Sequence, residues 1–328
     1  MAQDAATTVE ALLSEALTRA DRAIDGVPPV LGHMLASSGH SLINDAIVAN
    51  VRGMLNDLAR QLLAAEVETS GEPLHAPEAV DDLASALAAD PQLLAHCHIL
   101  ALETHLAHRL KHRFAIDPVL SDLWQELIAS DNALTGEIAM KALAAQSRFV
   151  QSQRRMQHPI NELPAELLEQ ALRIWARSAP VTREAAIVAG ASAIKAGYDE
   201  SVTRIGLIGR LVAGMRSGAI AALELKHAGL ALFASTLASL AGQGRARAVL
   251  ACHEHQAVRL ALSLRASGLD SEAIERQFHV LEPIERLPDD LAQISRERAA
   301  DLLRQSNLTA QSAAQGLSAP LTLVQGGD

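Results

Sequence analysis

Apolar residues recur at spacings of three and four in almost every stretch between breakers, and no stretch alternates cleanly with period two. Such a spacing lays one apolar stripe along a helix and none along a strand. Ala and Leu supply about a third of the 328 residues and aromatic residues only 2%. That is the usage of packed helices, where small and unbranched side chains lose little rotamer freedom. The chain is expected to be all-α. With 49% hydrophobic residues it is unlike a disordered chain, and at this length roughly 75% of the unfolded chain's surface can be buried without staples.

Helices are predicted over 7–24, 41–67, 76–89, 91–113, 118–129, 131–155, 164–178, 182–196, 201–216, 217–241, 245–267, 270–281 and 289–305. Asp90-Pro91 is a legible start, since a carboxylate can cap orphan N–H groups and Pro is tolerated at the first helical position. Segments beginning at Leu83 and Trp124 superpose at a shift of about 41 residues, which pairs Leu93 with Leu134 and Ile99 with Met140. A further shift of about 47 carries Leu134 to Val181 and Met140 to Ile187. Those periods predict helical-hairpin repeats in a HEAT-like curved stack over 71–288, with a compact helical bundle as the alternative. Residues 1–70 fall outside the repeat and read as an N-terminal helical hairpin. In it Leu12, Leu13, Ala16 and Leu17 face Ile47, Val51, Leu55, Leu58 and Leu62, a hairpin able to pack on the stack or, as a homodimer, on a second copy of itself. A C-terminal helix at 289–308 and a polar, Gly-rich, flexible tail at 309–328 complete the expected organisation.

Cys97 and Cys252 are the only cysteines, too few for a disulfide framework, which points to a reducing cytoplasmic setting. The first residues have neither a basic nor an apolar leader region. His227–Gly244 is apolar but carries Gly, Ser and Thr, and reads as a buried helix rather than a membrane span. A net charge of −10 argues against general nucleic-acid binding, while leaving a local basic patch open.

Leu127-Ile-Ala-Ser-Asp131, Ala142-Leu-Ala-Ala-Gln-Ser-Arg-Phe149, Gln153-Arg-Arg-Met156 and Glu162-Leu-Pro164 resemble a bacterial helical family catalogued as domain of unknown function 2336. Leu237-Ala-Ser-Leu-Ala-Gly242 and Leu260-Ala-Leu-Ser-Leu-Arg-Ala-Ser-Gly-Leu269 resemble its C-terminal part, so that the likeness covers roughly residues 85 to 285. The family occurs mainly in alphaproteobacteria and has no assigned activity, so the resemblance implies neither catalytic residues nor a cofactor.

Several constellations bear on function. Arg148, Arg154, Arg155 and His158 form the strongest positive cluster. They suit a carboxylate- or phosphate-bearing partner through guanidinium geometry, or simply a solvated helix C-terminus. His96, His98, His105, His108 and His112 share one predicted helix, and the last three, spaced three and four apart, are candidate metal ligands. They lie far from the apolar arc of Ile99, Leu102, Leu106 and Leu110, which predicts a solvated face, and Glu103 projects elsewhere. Cys252-His-Glu-His255 offers two further ligands, completed only by docking against that run. His40, with Asn44 or Asp45 to orient it, is a candidate phosphotransfer histidine. Ile205-Gly-Leu-Ile-Gly209, continued by Gly214 and Gly218, reads as small residues allowing close helix packing. Walker, GxGxxG, HExxH and GxSxG motifs are absent, which argues against NTPase, dinucleotide, zincin and hydrolase chemistry. The leading expectation is a non-enzymatic protein–protein interaction or scaffold protein, with Glu66, Glu68, Asp81 and Asp82 adding acidic selectivity. A phosphotransfer module using His40 and a weak metal binder using the histidine run are the alternatives.

Overall fold

The computed structural model describes residues 2–27, 30–31, 45–70, 77–282 and 293–317, and among these no strand occurs. The helices are α1 (Ala2–Asp25), α2 (Asp45–Ser70), α3 (Pro77–Ala88), α4 (Pro91–Phe114), α5 (Asp122–Ile128), α6 (Ala133–Arg154), α7 (Ala165–Ser178), α8 (Glu184–Ala196), α9 (Arg204–Met215), α10 (Leu225–Leu240), α11 (Arg245–Ala251), α12 (Ala257–Ala266), α13 (Ser271–Leu281) and α14 (Arg296–Leu317). The all-α expectation holds. Asp90 caps α4 as its sequence implies, its Oδ1 accepting from the backbone N–H of Gln92 at 3.0 Å and of Leu93 at 2.9 Å. Asn132 does the same for α6 through Leu134 and Thr135.

Two expected helices are interrupted. The helix predicted from 217 begins only at Leu225, because Arg216 takes φ 49° and Arg216–Leu223 winds as 3-10 turns. The helix predicted over 245–267 breaks into α11 and α12 at a turn through 252–256. In the other direction, α14 extends to Leu317 where a loose tail was expected from 309.

Helices α4 and α10 are hubs. The former packs on α2, α3, α6, α7, α10, α11 and α13, and the latter on α4, α5, α9, α11, α12 and α13. As expected, α10 is buried along almost its whole length. Within it Gly229 has φ 71° and ψ 163°, a conformation essentially restricted to glycine. The kink lets Ser121 approach and donate its hydroxyl to the Ala228 carbonyl at 2.8 Å.

A HEAT-like stack would set each helix pair against its sequence neighbours. Here α2 packs on the sequence-distant α8 as well as on its neighbour α3. The predicted repeat register is kept only in part in burial. Leu93 is buried while its equivalents Leu134 and Val181 are 62% and 84% exposed, and Ile99 and Ile187 are buried while Met140 between them is 56% exposed. The described helices form a body around two central helices, closer to the bundle alternative.

The N-terminal hairpin is a second correction. Val51, Leu55, Leu58 and Leu62 of α2 belong to the main core, which runs from Leu31 to Leu281. Val9, Leu13 and Leu17 of α1 belong to a separate cluster with Val258, Leu262, Leu302 and Leu303. Helix α1 therefore lies on α12 and α14. Of the two alternatives for this hairpin, packing on the rest of the chain is the one seen, and Leu12 alone of its leucines is turned outward. By length and composition alone, one stretch among the described residues, Arg204–Leu223, is apolar enough to cross a membrane. It comprises α9 and the 3-10 turns, and Leu207, Ile208, Leu211 and Val212 in it are buried.

Candidate functional site

Helix α6 ends in a turn that the sequence does not advertise. Met156 adopts φ 55°, with the N–H of Gln157 reaching back to the Ser152 carbonyl at 2.9 Å. The reversal sends Arg154 and Arg155 outward and His158 inward. His158 is buried, contrary to its expected place on an exposed cationic patch. Helix α2 holds it there. Asp57 Oδ2 accepts the backbone N–H of His158 at 3.0 Å, Gln61 Nε2 donates to its carbonyl at 2.9 Å, and Gln61 Oε1 accepts from Ile160 at 2.8 Å. Gly53 makes the approach feasible, since an added Cβ would stand 2.4 Å from the Met156 Cβ.

The His158 ring meets His96 of α4, Nε2 to Nε2 at 3.2 Å. One ring must donate and the other accept. Burial, followed by the charges of Arg204 and Arg245, lowers His96 to about 4. Burial, followed by His96 and Arg204, holds His158 well below its ordinary value. Both rings are thus neutral near pH 7.

Beside them stands a buried ionic triad. Arg204 donates to Glu103 at 2.8 and 3.0 Å, and Arg245 donates to the same carboxylate at 2.9 and 2.7 Å. Arg204 also reaches Gln146 Oε1 at 3.1 Å and covers the Phe149 ring at 3.7 Å from its centroid. Burial alone would raise the Glu103 carboxyl, but the two guanidiniums outweigh it and hold the group far below the carboxylate range. The triad keeps one net positive charge beneath the surface.

These elements wall a cleft of about 440 Å³. Arg148 and Arg155 stand at its rim, His96, His158 and Arg204 line it, and Phe149 and Val202 contribute apolar wall. Glu162 and Asp199 line it as well; Glu162 accepts the backbone N–H of Arg204 at 2.8 Å, and Asp199 that of Ser201 at 2.9 Å. Of the predicted cationic residues, Arg148, Arg155 and His158 come together here, and Arg154 does not line the cleft. Asp57, Gln61, Glu103, Arg204 and Arg245 were not singled out as a site by sequence reasoning. Their links span 97 to 142 residues and leave no local pattern.

His105, His108 and His112 sit on the exposed side of α4, with 6.3 Å between the ring centroids of His108 and His112. Among the described residues no three metal-ligating side chains converge. Glu103 does project elsewhere, into the triad. The 252–256 turn lies beside α4, where Arg109 bonds Glu254 at 2.9 Å, so the docking required by the second metal reading occurs. Its thiol is nevertheless lost to the site. Cys252 caps α11, points inward to the Ala248 carbonyl and is pushed up to about 12 by burial, while His255 is exposed beyond the break. Gly209, Gly214 and Gly218 pack against nothing, since an added Cβ meets no atom within 4 Å. Only Gly206 of that series is needed for close approach, to Glu200. Glu66, expected on an acidic surface, is buried and paired with Arg183, whereas Glu68, Asp81 and Asp82 are exposed. His40 lies outside the described residues.

Comparison with protein-family models, with curated proteins and with solved structures returned no match.

Proposed function

We propose that the chain is a non-enzymatic interaction protein that grips an acidic or phosphorylated segment of a partner protein at the arginine-rimmed cleft. The observation that supports this is the state of Arg148 and Arg155. Both guanidiniums stand at the mouth of a concave site, and among the described residues neither has an ion-pair or hydrogen-bond partner. Exposed arginines held on the last turns of a rigid helix are preorganised for bidentate contact with carboxylate or phosphate. A reducing cytoplasmic setting accords with Cys97 and Cys252, both buried and unpaired.

The test is purification of the tagged chain from its host at low salt, followed by mass spectrometry of whatever accompanies it. A protein recovered in stoichiometric amount, and lost when Arg148 and Arg155 are both changed to Glu, is the expected result. Recovery of the wild-type chain alone, or of the same protein with the double variant, refutes the reading.

A further inference from the structure

Below its rim the cleft changes character. Leu100, Phe149, Pro159, Val202 and Ile205 give it apolar walls, and the His96–His158 pair lies between them. Its volume of about 440 Å³ is that of a small-molecule site, in which apolar surface carries a few convergent polar groups. A protein side chain alone does not require that depth.

We infer that the cleft binds a small organic anion, a carboxylic acid or phosphate monoester with an apolar body, whose charged head lies among Arg148, Arg155 and the His96–His158 pair and enters together with one proton. The inference goes beyond the partner reading, which uses only the rim. It stands first on geometry. In the empty cleft the contact at 3.2 Å takes one proton on each ring, with Nε2–H of one directed at Nε2 of the other. A third proton, drawn from solvent, is accommodated at Nδ1 of the donor ring. The pair becomes an imidazolium bonded to an imidazole, and the shared N–H···N bond survives.

What opposes that proton in the empty cleft is burial, together with Arg204 of α9 and Arg245 of α11. Glu103 of α4 favours it at His96, but its carboxylate is already occupied by both arginines. Asp57 of α2, which has Arg60 close by, meets the backbone of His158. The carboxylates of Glu162 and Asp199 are engaged by backbone N–H groups. An entering anion supplies the counter-charge that the pair lacks, so anion and proton each raise the affinity for the other. The apolar walls select an organic body over a bare inorganic ion.

The experiment titrates the purified full chain by calorimetry with phenyl phosphate and with phenylacetate, using benzyl alcohol and inorganic phosphate as controls. Titrations run at pH 5 to 7 in two buffers of different ionisation enthalpy. At least one phenyl anion is expected to bind more than about tenfold tighter than either control, since the head contributes charge-assisted bonds and the ring apolar burial. The dissociation constant is expected to rise about tenfold per pH unit over part of that range, with close to one proton taken up. Changing both rings, His96→Gln with His158→Gln, leaves no titratable group in the pair and removes the pH dependence of phenylacetate binding. Because that site is buried, the exposed Arg155→Ala provides an independent variant and weakens binding of the anion alone. Absence of binding at millimolar concentration, equal binding of benzyl alcohol or inorganic phosphate, or a pH-independent affinity each overturns the inference. An arginine-dependent protein partner recovered beside any of these results leaves the partner reading standing.

Discussion

Glu103→Gln tests the centre of the site. The carboxylate accepts four N–H bonds from two guanidiniums at 2.7 to 3.0 Å. The Glu103 and Arg204 side chains are each 3% exposed and Arg245 14%, so solvent screens the interaction little. Four charge-assisted bonds at about 1.5–3 kcal/mol each would sum to roughly 6–12 kcal/mol if independent. They are not independent, because one carboxylate polarises all four, and removal of one member of a buried ionic group costs about 3–5 kcal/mol. The lower figure is the appropriate one, since Gln retains one acceptor oxygen and Arg204 keeps its bond to Gln146. Urea unfolding followed by circular dichroism should therefore show a loss of about 3–5 kcal/mol. The pH dependence carries a second signature. A carboxyl depressed in the folded state contributes stability above its unfolded value of 4.5, and that stability is lost as pH falls below it. The variant should lack this acid-side decline. A loss below about 1 kcal/mol would mean that the triad is open to water and would refute the account of the cleft wall.

Other consequences are as direct. Gly53→Ala sets a Cβ against Met156 and should cost about 1–3 kcal/mol, with amide shifts at 156–160 in NMR spectra larger than elsewhere. Gly229→Ala forces φ 71° and ψ 163° on a side-chain-bearing residue and should cost about 1–3 kcal/mol, read from the thermal midpoint. Histidines whose folded values are lowered stabilise the chain above the unfolded value of 6.5 and lose that contribution as pH falls, with His96 protonating in the folded state only at about 4. His96→Gln should accordingly flatten the urea midpoint between pH 6.5 and 4.5, relative to wild type. Asp21→Ala strips the buried Arg259 guanidinium of its carboxylate partner, and limited proteolysis should then cut α1 sooner than in wild type.

Periodicity made most helices legible, because a stripe at three and four is a local property. Asp90-Pro91 marks a start for the same reason, its cap lying within three residues of the amides it serves, and Asn132 caps α6 in the same way although the helix was expected from 131. The boundary at 216 was read, but the 3-10 winding that follows it to Leu223 and the break at 252–256 were not, since their residues remain compatible with a helix. The cationic cluster was found, but with His158 on the wrong side. Its orientation depends on Met156 turning against Gly53 and on the hydrogen bond its backbone N–H donates to Asp57, 101 residues away in sequence. The histidine run misled in part for a related reason. A helix covered on one side hides one arc, whereas α4 is packed from several sides, so Cys97, Leu100 and Glu103 are buried along with the apolar arc and His96 reaches the cleft. The repeat register held only in part because alignment of capped amphipathic helices carries no information about which partner each stripe meets.

The division of the interior into two cores sets an order in time. Among the described residues, the buried members of the main core lie between Leu31 and Leu281, and the ribosome delivers them before α14 exists. Helix α1 is delivered ahead of the main core, yet Val9, Leu13 and Leu17 obtain their full cover only when Leu302 and Leu303 emerge. During synthesis the apolar stripe of α1 must therefore wait for that of α14, and a nascent chain stalled after α13 presents it incompletely covered to chaperones and proteases.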